Sequence, residues 1–334
     1  MRVVHRGQSS ITCWTRSFAN MRLLKVLVAT LNLIPGLVGG TTANFDFEDV
    51  QLTEDVITLF PDVGFGDTSI AARGHESARC KIRPGDIGWP SRAEWAAFNK
   101  TLGGNLLHPV PPESACYPGL YHNETQCDFL LGPVTQTRFY LDDPLTVLTT
   151  WPEGDTCLAD PDPQGNCTHG GFPEYVVNAT TVRDIQLAVN FARNRNLRLN
   201  IKNTGHDFVG RSTGYGSLSV WTHYLKGIDL ISGYSIGEYQ GTAVKIGGGV
   251  EAFEGYNLMA ASNITFVVPG AFTVGAAGGW LAGGGHSGLT SLLGLGSDQP
   301  LSINVVTADG KFVTADVNTK DDLFFALRGG GGSK

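Results

Sequence analysis

The chain has 334 residues, a net charge of −7, 42% hydrophobic and only 16% charged residues, and 44 glycines. That length and apolar content support a sizeable core and exclude wholesale disorder. The acidic balance, with no basic run, excludes a nucleic-acid surface, so a phosphate-bearing ligand would have to be held by neutral donors.

Residues 1–20 are polar and patternless and read as an upstream extension. Met21 then opens a signal-peptide layout over about 21–40: Arg22 and Lys25 form a positive flank, Leu27 to Val38 are mostly apolar, and Gly39 to Ala43 are small. The apolar stretch is short for a membrane span, and no second one follows. A secreted protein without membrane attachment is expected. Sequons at Asn99, Asn123, Asn166, Asn178 and Asn263 agree with a glycosylated, secreted surface. Cys80, Cys116, Cys127, Cys157 and Cys167 fall in the first half of the mature chain. An oxidising compartment predicts two disulfides and one spare thiol, with the pairing open. No Cys-X-X-Cys pair exists, and no metal site is expected.

From residue 41 to 170 the chain is rich in Pro, Gly and Cys and reads as an irregular, cysteine-rich region. Within it Ser91 is placed to cap a short helix running through Asn99. The pattern changes at Phe172. Thr181 to Asp184 resembles a capping box before a helix whose stripe is Val182, Ile185, Val189 and Ala192. Leu197, Leu199 and Ile201 alternate with polar residues, as in a strand. Further strands are expected at Ala243 to Ile246 and Thr265 to Val268, with a helix from Glu251 to Ala260 between them. Ile303 to Thr307 and Phe312 to Ala315 flank Asp309-Gly310, a hairpin signal. A last helix spans Asp322 to Leu327, stopped by Gly329 to Gly332. This mixture predicts an α+β class. The chain ends in the loop Arg328-Gly-Gly-Gly-Gly-Ser-Lys334, which reads as a truncation.

Two small-residue loops leave strands. Asn203-Thr-Gly205 and Thr273-Val-Gly-Ala-Ala-Gly-Gly279 can each turn backbone N–H groups toward a phosphate, though either could be an ordinary tight turn. Gly283 to Gly288 formally matches G-x-G-x-x-G. It lacks the preceding β-branched strand, a long following helix and the distant acidic residue, so a nicotinamide Rossmann domain is not expected. His206 ends the first loop, with Asp207 adjacent and Arg211 four residues on. A neutral imidazole there can serve as a nucleophile toward an electrophilic cofactor carbon or as a proton acceptor.

Ile201-Lys-Asn-Thr-Gly-His-Asp-Phe-Val-Gly-Arg-Ser-Thr-Gly214 and Gly216-Ser-Leu-Ser-Val-Trp-Thr-His223 resemble the flavin-attachment segment of fungal berberine-bridge-enzyme-like oxidoreductases. These belong to the vanillyl-alcohol-oxidase superfamily, whose FAD-binding domain is of the PCMH type. Thr273 to His286, Leu301 to Gly310 and Asp322 to Gly332 follow in the family's order. The resemblance implies a PCMH-type domain of two α/β subdomains over 171–334, with the substrate domain missing. It implies FAD bonded covalently to His206. The other contacts it implies come from Lys202, Asn203, Thr204, Gly205, Asp207, Gly270, Thr273, Val274, Gly275, Gly278, Gly279, Gly285, Asp298 and Val305. Many relatives carry a second flavin bond through a cysteine where Ala271 stands, so attachment through His206 alone is expected. Val274 resembles the residue that admits oxygen, which implies an oxidase with O2 as acceptor and a small organic substrate, such as a secondary metabolite or carbohydrate. The catalytic base usually lies in the absent part. A non-catalytic FAD-binding fragment is the alternative, and an extracellular binder without flavin a third reading.

Overall fold

The computed structural model describes residues 4–5, 42–66, 80–132, 137–148 and 154–332. The expected signal segment lies outside them. Within the expected upstream extension, β1 (Val4–His5) pairs antiparallel with β8 (Ile264–Thr265). No helix among the described residues is long and apolar enough to cross a membrane.

The first unit is a four-stranded sheet. β2 (Leu106–Leu107) pairs antiparallel with β3 (Tyr175–Asn178), while β3 and β4 (Leu199–Lys202) both run parallel to β5 (Leu218–Trp221) between them. The helix Val182–Asn194 makes the crossover from β3 to β4. Its start follows from chemistry: Thr181 accepts from the Asp184 amide, and Asp184 reaches back to the Thr181 amide. The buried stripe is centred on Leu187, Ala188 and Phe191 rather than on Ile185 and Val189, which stay half-buried. Phe191 stacks on Phe98 of the helix Arg92–Thr101 at 4.1 Å, and both rings are fully buried. Ser91 caps that second helix, as expected. Burial of each such ring contributes about 1.5–3 kcal/mol.

The second unit begins with the hairpin β6 (Ile228–Ile236) and β7 (Tyr239–Ile246), of which only the second strand was legible in the sequence. The helix Ala252–Ser262 packs on it through Ala252 and Met259, together with Ile264, Phe266 and Val268. It ends on Asn263 in the left-handed region, at φ 51°. β8 is shorter than expected, so Phe266 to Val268 are buried in extended chain outside a ladder. The hairpin β9 (Ser302–Val306) and β10 (Phe312–Asp316) forms as expected around Gly310 at φ 86°. The last helix is Asp321–Leu327.

The cysteine-rich lead-in is braced by Cys116–Cys127 and Cys157–Cys167, which settles the pairing and leaves Cys80 as the free thiol among the described cysteines. This region is not a separate body. Gln186 joins the Leu52 amide to the Gly310 carbonyl, Arg193 reaches the Gly64 carbonyl, and Lys245 pairs with Glu48.

Candidate flavin site

The site is built where β4 ends and where the chain returns after β8. Gly205 holds the first loop at φ 82°, a conformation that costs other residues a left-handed strain. A Cβ there would also press on the Thr146 carbonyl and the Lys202 stem. The second loop is fixed by an antiparallel bridge between Glu251 and Gly275: the Ala252 amide donates to Val274 and the Ala276 amide to Val250. The two loops touch. Asn203 donates from Nδ2 to the Gly248 carbonyl at 2.7 Å, and a Cβ on Gly275 would collide with the same carboxamide.

His206 meets the second loop directly, its Nε2 lying 2.9 Å from Thr273 Oγ1. Burial lowers the imidazole pKa below the usual histidine value, against an opposing pull from the Glu251 carboxylate, so the ring is neutral at neutral pH. For Asp207, burial works against ionisation, but the Arg211 guanidinium and amide outweigh it and hold the carboxyl low. That pair stiffens the turn leaving His206.

Lys202 does not reach toward the loop mouth. Its side chain is 1% exposed and donates to the carbonyls of Asp143 at 2.9 Å and Leu141 at 3.4 Å, with the ammonium 5.3 Å above the Trp221 ring. Burial pushes it down to about 8. Thr204 and Gly205 are buried, Val274 is half-buried, and Gly270 is exposed with open space where a Cβ would stand. Gly278 and Gly279 begin the short turn of helix Gly279–Ala282. Gly285 and Asp298 form a neighbouring cluster: Gly285 packs against Trp280 and accepts from the Gly296 amide, while Asp298 caps its own turn through the Leu295 amide. Val305 sits in β9 opposite Val313, and no hydrogen bond among the described residues ties it to either loop.

Beside the loops, Arg138 and the role of Glu251 escaped sequence reasoning, and His223 appeared there only as the end of a motif. Glu251 is fully buried and takes a two-pronged bond from Arg138 at 2.9 and 3.0 Å, plus Lys226 at 3.1 Å. His223 is buried and bonds Asp142 through Nε2 at 2.9 Å. Arg138 and Glu251 are 113 positions apart, so no local spacing signals the pair.

The donors fit a dinucleotide. The backbone N–H groups of Thr204, Gly205, Ala277 and Gly278 donate to no acceptor among the described residues, and Asn203 Oδ1 is buried without a partner. Thr204 and Gly205 are buried and Ala277 and Gly278 half-buried, and buried main-chain donors are seldom left unpaired, so such a cluster on two facing loops suits a polyanionic ligand. The donors are neutral, as an acidic chain requires.

Comparison with known proteins agrees. The FAD binding domain family matches residues 173–316. The VAO-type flavoprotein oxidase VAO615 of Thermothelomyces thermophilus is 41% identical over 261 residues, covering 77% of this chain and 46% of that protein. The FAD-linked oxidoreductase patO of Aspergillus clavatus is 39% identical, over 78% of this chain and 45% of its own length. The crystal structure of VAO-type flavoprotein MtVAO615 from Myceliophthora thermophila C1 superposes with a TM-score of 0.73 at 41% identity, covering 76% of this chain and 47% of that one. The chain thus spans about half the length of the curated relatives it matches. It is a homologue of the VAO-type flavoproteins and carries their PCMH-type FAD-binding domain.

Proposed function

We propose that this chain holds FAD between its two glycine loops, bonded to His206 alone, and serves a secreted oxidase that removes hydride from a small organic substrate. The carrying observation is the contact between His206 Nε2 and Thr273 Oγ1. It occupies Nε2 and leaves Nδ1 as the nitrogen available for the bond. The ring stays neutral, and the reading assigns the tautomer in which Nε2 carries the proton and donates to the threonine hydroxyl, so that the lone pair lies on Nδ1. Ala271, where many relatives carry cysteine, offers no second attachment. The free N–H groups of both loops would take the pyrophosphate oxygens. When bound, the flavin supplies the redox step, and the protein supplies orientation and electrostatics. Val274 in the second loop is the residue we assign to admitting O2, the proposed acceptor.

Secretion belongs to the proposal. The layout over 21–40, two disulfides and exposed sequon asparagines at Asn123, Asn166 and Asn263 support it. The span of about half a relative favours a second reading, an FAD-binding piece without turnover of its own. The test of attachment is to precipitate purified protein with acid. Yellow colour should stay in the pellet and be lost in His206→Ala; a colourless pellet from the unaltered protein overturns the covalent reading. Chemical reduction followed by air then separates the two readings, since an oxidase site reoxidises quickly.

A further inference from the structure

The motif Trp221-Thr-His223 and the buried Glu251 have no part in the reading above, yet both face one segment. Residues 137–148 pass along the far side of the sheet from the Phe98–Phe191 core, touching the first glycine loop and Glu251, which bridges to the second. Toward the first loop, the segment accepts from Lys202 at two carbonyls, and the Leu148 amide donates to the Gly205 carbonyl at 3.0 Å. Toward the second, Arg138 grips both oxygens of Glu251, whose backbone forms the bridge to Gly275. Between these ends, Asp142 takes Arg138 at 3.3 Å and His223 at 2.9 Å, and His223 stacks on Trp221 with ring planes 7° apart.

We propose that the segment 137–148 is a latch that sets the two loops against each other, and that Arg138 and Glu251 are positioning residues for His206. Resting on the reading of His206 as the flavin-bearing residue, it assigns a task to groups that touch neither imidazole nor ligand. A two-pronged guanidinium–carboxylate pair has one geometry, so it fixes where the Glu251 backbone stands. Glu251 in turn fixes the bridge at Gly275, and that bridge sets the distance of Thr273 Oγ1 from Nε2. The pair also controls charge. The groups around the imidazole are Glu251, its cations Arg138 and Lys226, and the Asp207–Arg211 pair of the first loop. Glu251 favours the imidazolium, and its ion pairs with Arg138 and Lys226 place two positive charges against that carboxylate.

The experiment uses the full chain made in a flavin-starved host, with FAD added and attachment followed as acid-stable absorbance. Flavin-free samples are treated with diethyl pyrocarbonate, and modification of the His206 peptide is followed by mass against pH. Arg138→Ala should slow attachment about ten- to a hundredfold, because a small misplacement of a reacting atom costs that much. It should also raise the midpoint pH of His206 modification, while Glu251→Gln should lower it. Opposite shifts are what a merely structural pair would not give. Arg138→Lys keeps the charge without the fork and should keep the midpoint while still slowing attachment; it carries the test if the alanine variant fails to fold. Folded variants with unchanged rates and unshifted midpoints overturn the latch. If the unaltered chain takes up no FAD, the flavin reading falls, and the His206 midpoints alone then decide the latch.

Discussion

The two faces of the β4-β5-β3-β2 sheet are both covered except at Ile201 near the end of β4, and they differ in chemistry. One face meets Phe98, Leu187 and Phe191 through Val177, Leu218 and Val220. The other combines Val176 and Trp221, packed against Leu145 and Phe172, with the polar Asn200, Lys202 and Ser219, and Asn200 bonds both Ser217 and Ser219. The hydrophobic effect is non-directional, whereas a hydrogen-bonded network of buried groups tolerates few arrangements. The apolar face therefore supplies stability, and the polar face sets the position of the loops that leave its strand ends.

Substitutions should separate these roles. The largest effect is expected for Phe191→Ala, which removes a fully buried ring stacked on Phe98 and should cost about 3–5 kcal/mol in denaturant unfolding, with flavin attachment per folded molecule unchanged. Loss of attachment in the folded fraction would break the comparison. Replacing Cys157 and Cys167 by Ala opens a loop of 10 residues and should cost about 2–3 kcal/mol, read as a lowered melting temperature. Lys202→Met belongs to the polar face. It should cost about 1–3 kcal/mol by stranding the Leu141 and Asp143 carbonyls, and it should slow attachment as well. The smallest change in stability is expected for Thr273→Val, about 1 kcal/mol or less, together with slower attachment because Nε2 loses its partner.

Titration sharpens the contrast further. Burial pushes Glu113 up to about 7, so the folded protein holds that proton more tightly than the unfolded chain does. Stability should fall as pH rises from the ordinary glutamate range through 7, and Glu113→Gln should flatten that slope. Lys202 has the opposite sign. Its depressed value of about 8 means that the unfolded chain binds the proton more tightly, so stability should rise between about pH 8 and the ordinary lysine value, a rise that Lys202→Met abolishes. Unfolding curves taken across this range in both variants check the two signs.

Much of the scaffold was legible because its signals are local. The capping box at Thr181, the Ser91 cap and the Asp309-Gly310 turn each act over a few residues, and each forms. The alternation of Leu197, Leu199 and Ile201 with polar residues was also real, but it did not tell which side is buried, and Ile201 is the exposed one. In a parallel sheet covered on both sides the polar members can be the inner ones, and Asn200 and Lys202 are buried. β6 was missed because Asp229, Ser232 and Gly233 interrupt its apolar pattern, and the ladder carries an irregularity between Ile231 and Tyr234. The two glycine loops and His206 were visible as a motif. The groups that bring them together were not, since Arg138, Asp142 and Glu251 come from distant stretches and only folding makes them neighbours.

The dependence of the flavin domain on the lead-in has a practical consequence. A fragment cut to the matched family boundary at residue 173 would lose the Phe98 partner of Phe191, the Leu52 and Gly64 anchors of the crossover helix, and Arg138, the two-pronged partner of Glu251. Such a fragment would expose a hydrophobic helix face and leave the buried Glu251 with Lys226 as its one remaining cation among the described residues. Where a sequence family begins is thus, in this protein, not where a self-sufficient folding unit begins, and expression work should keep the chain from at least Phe45 onward.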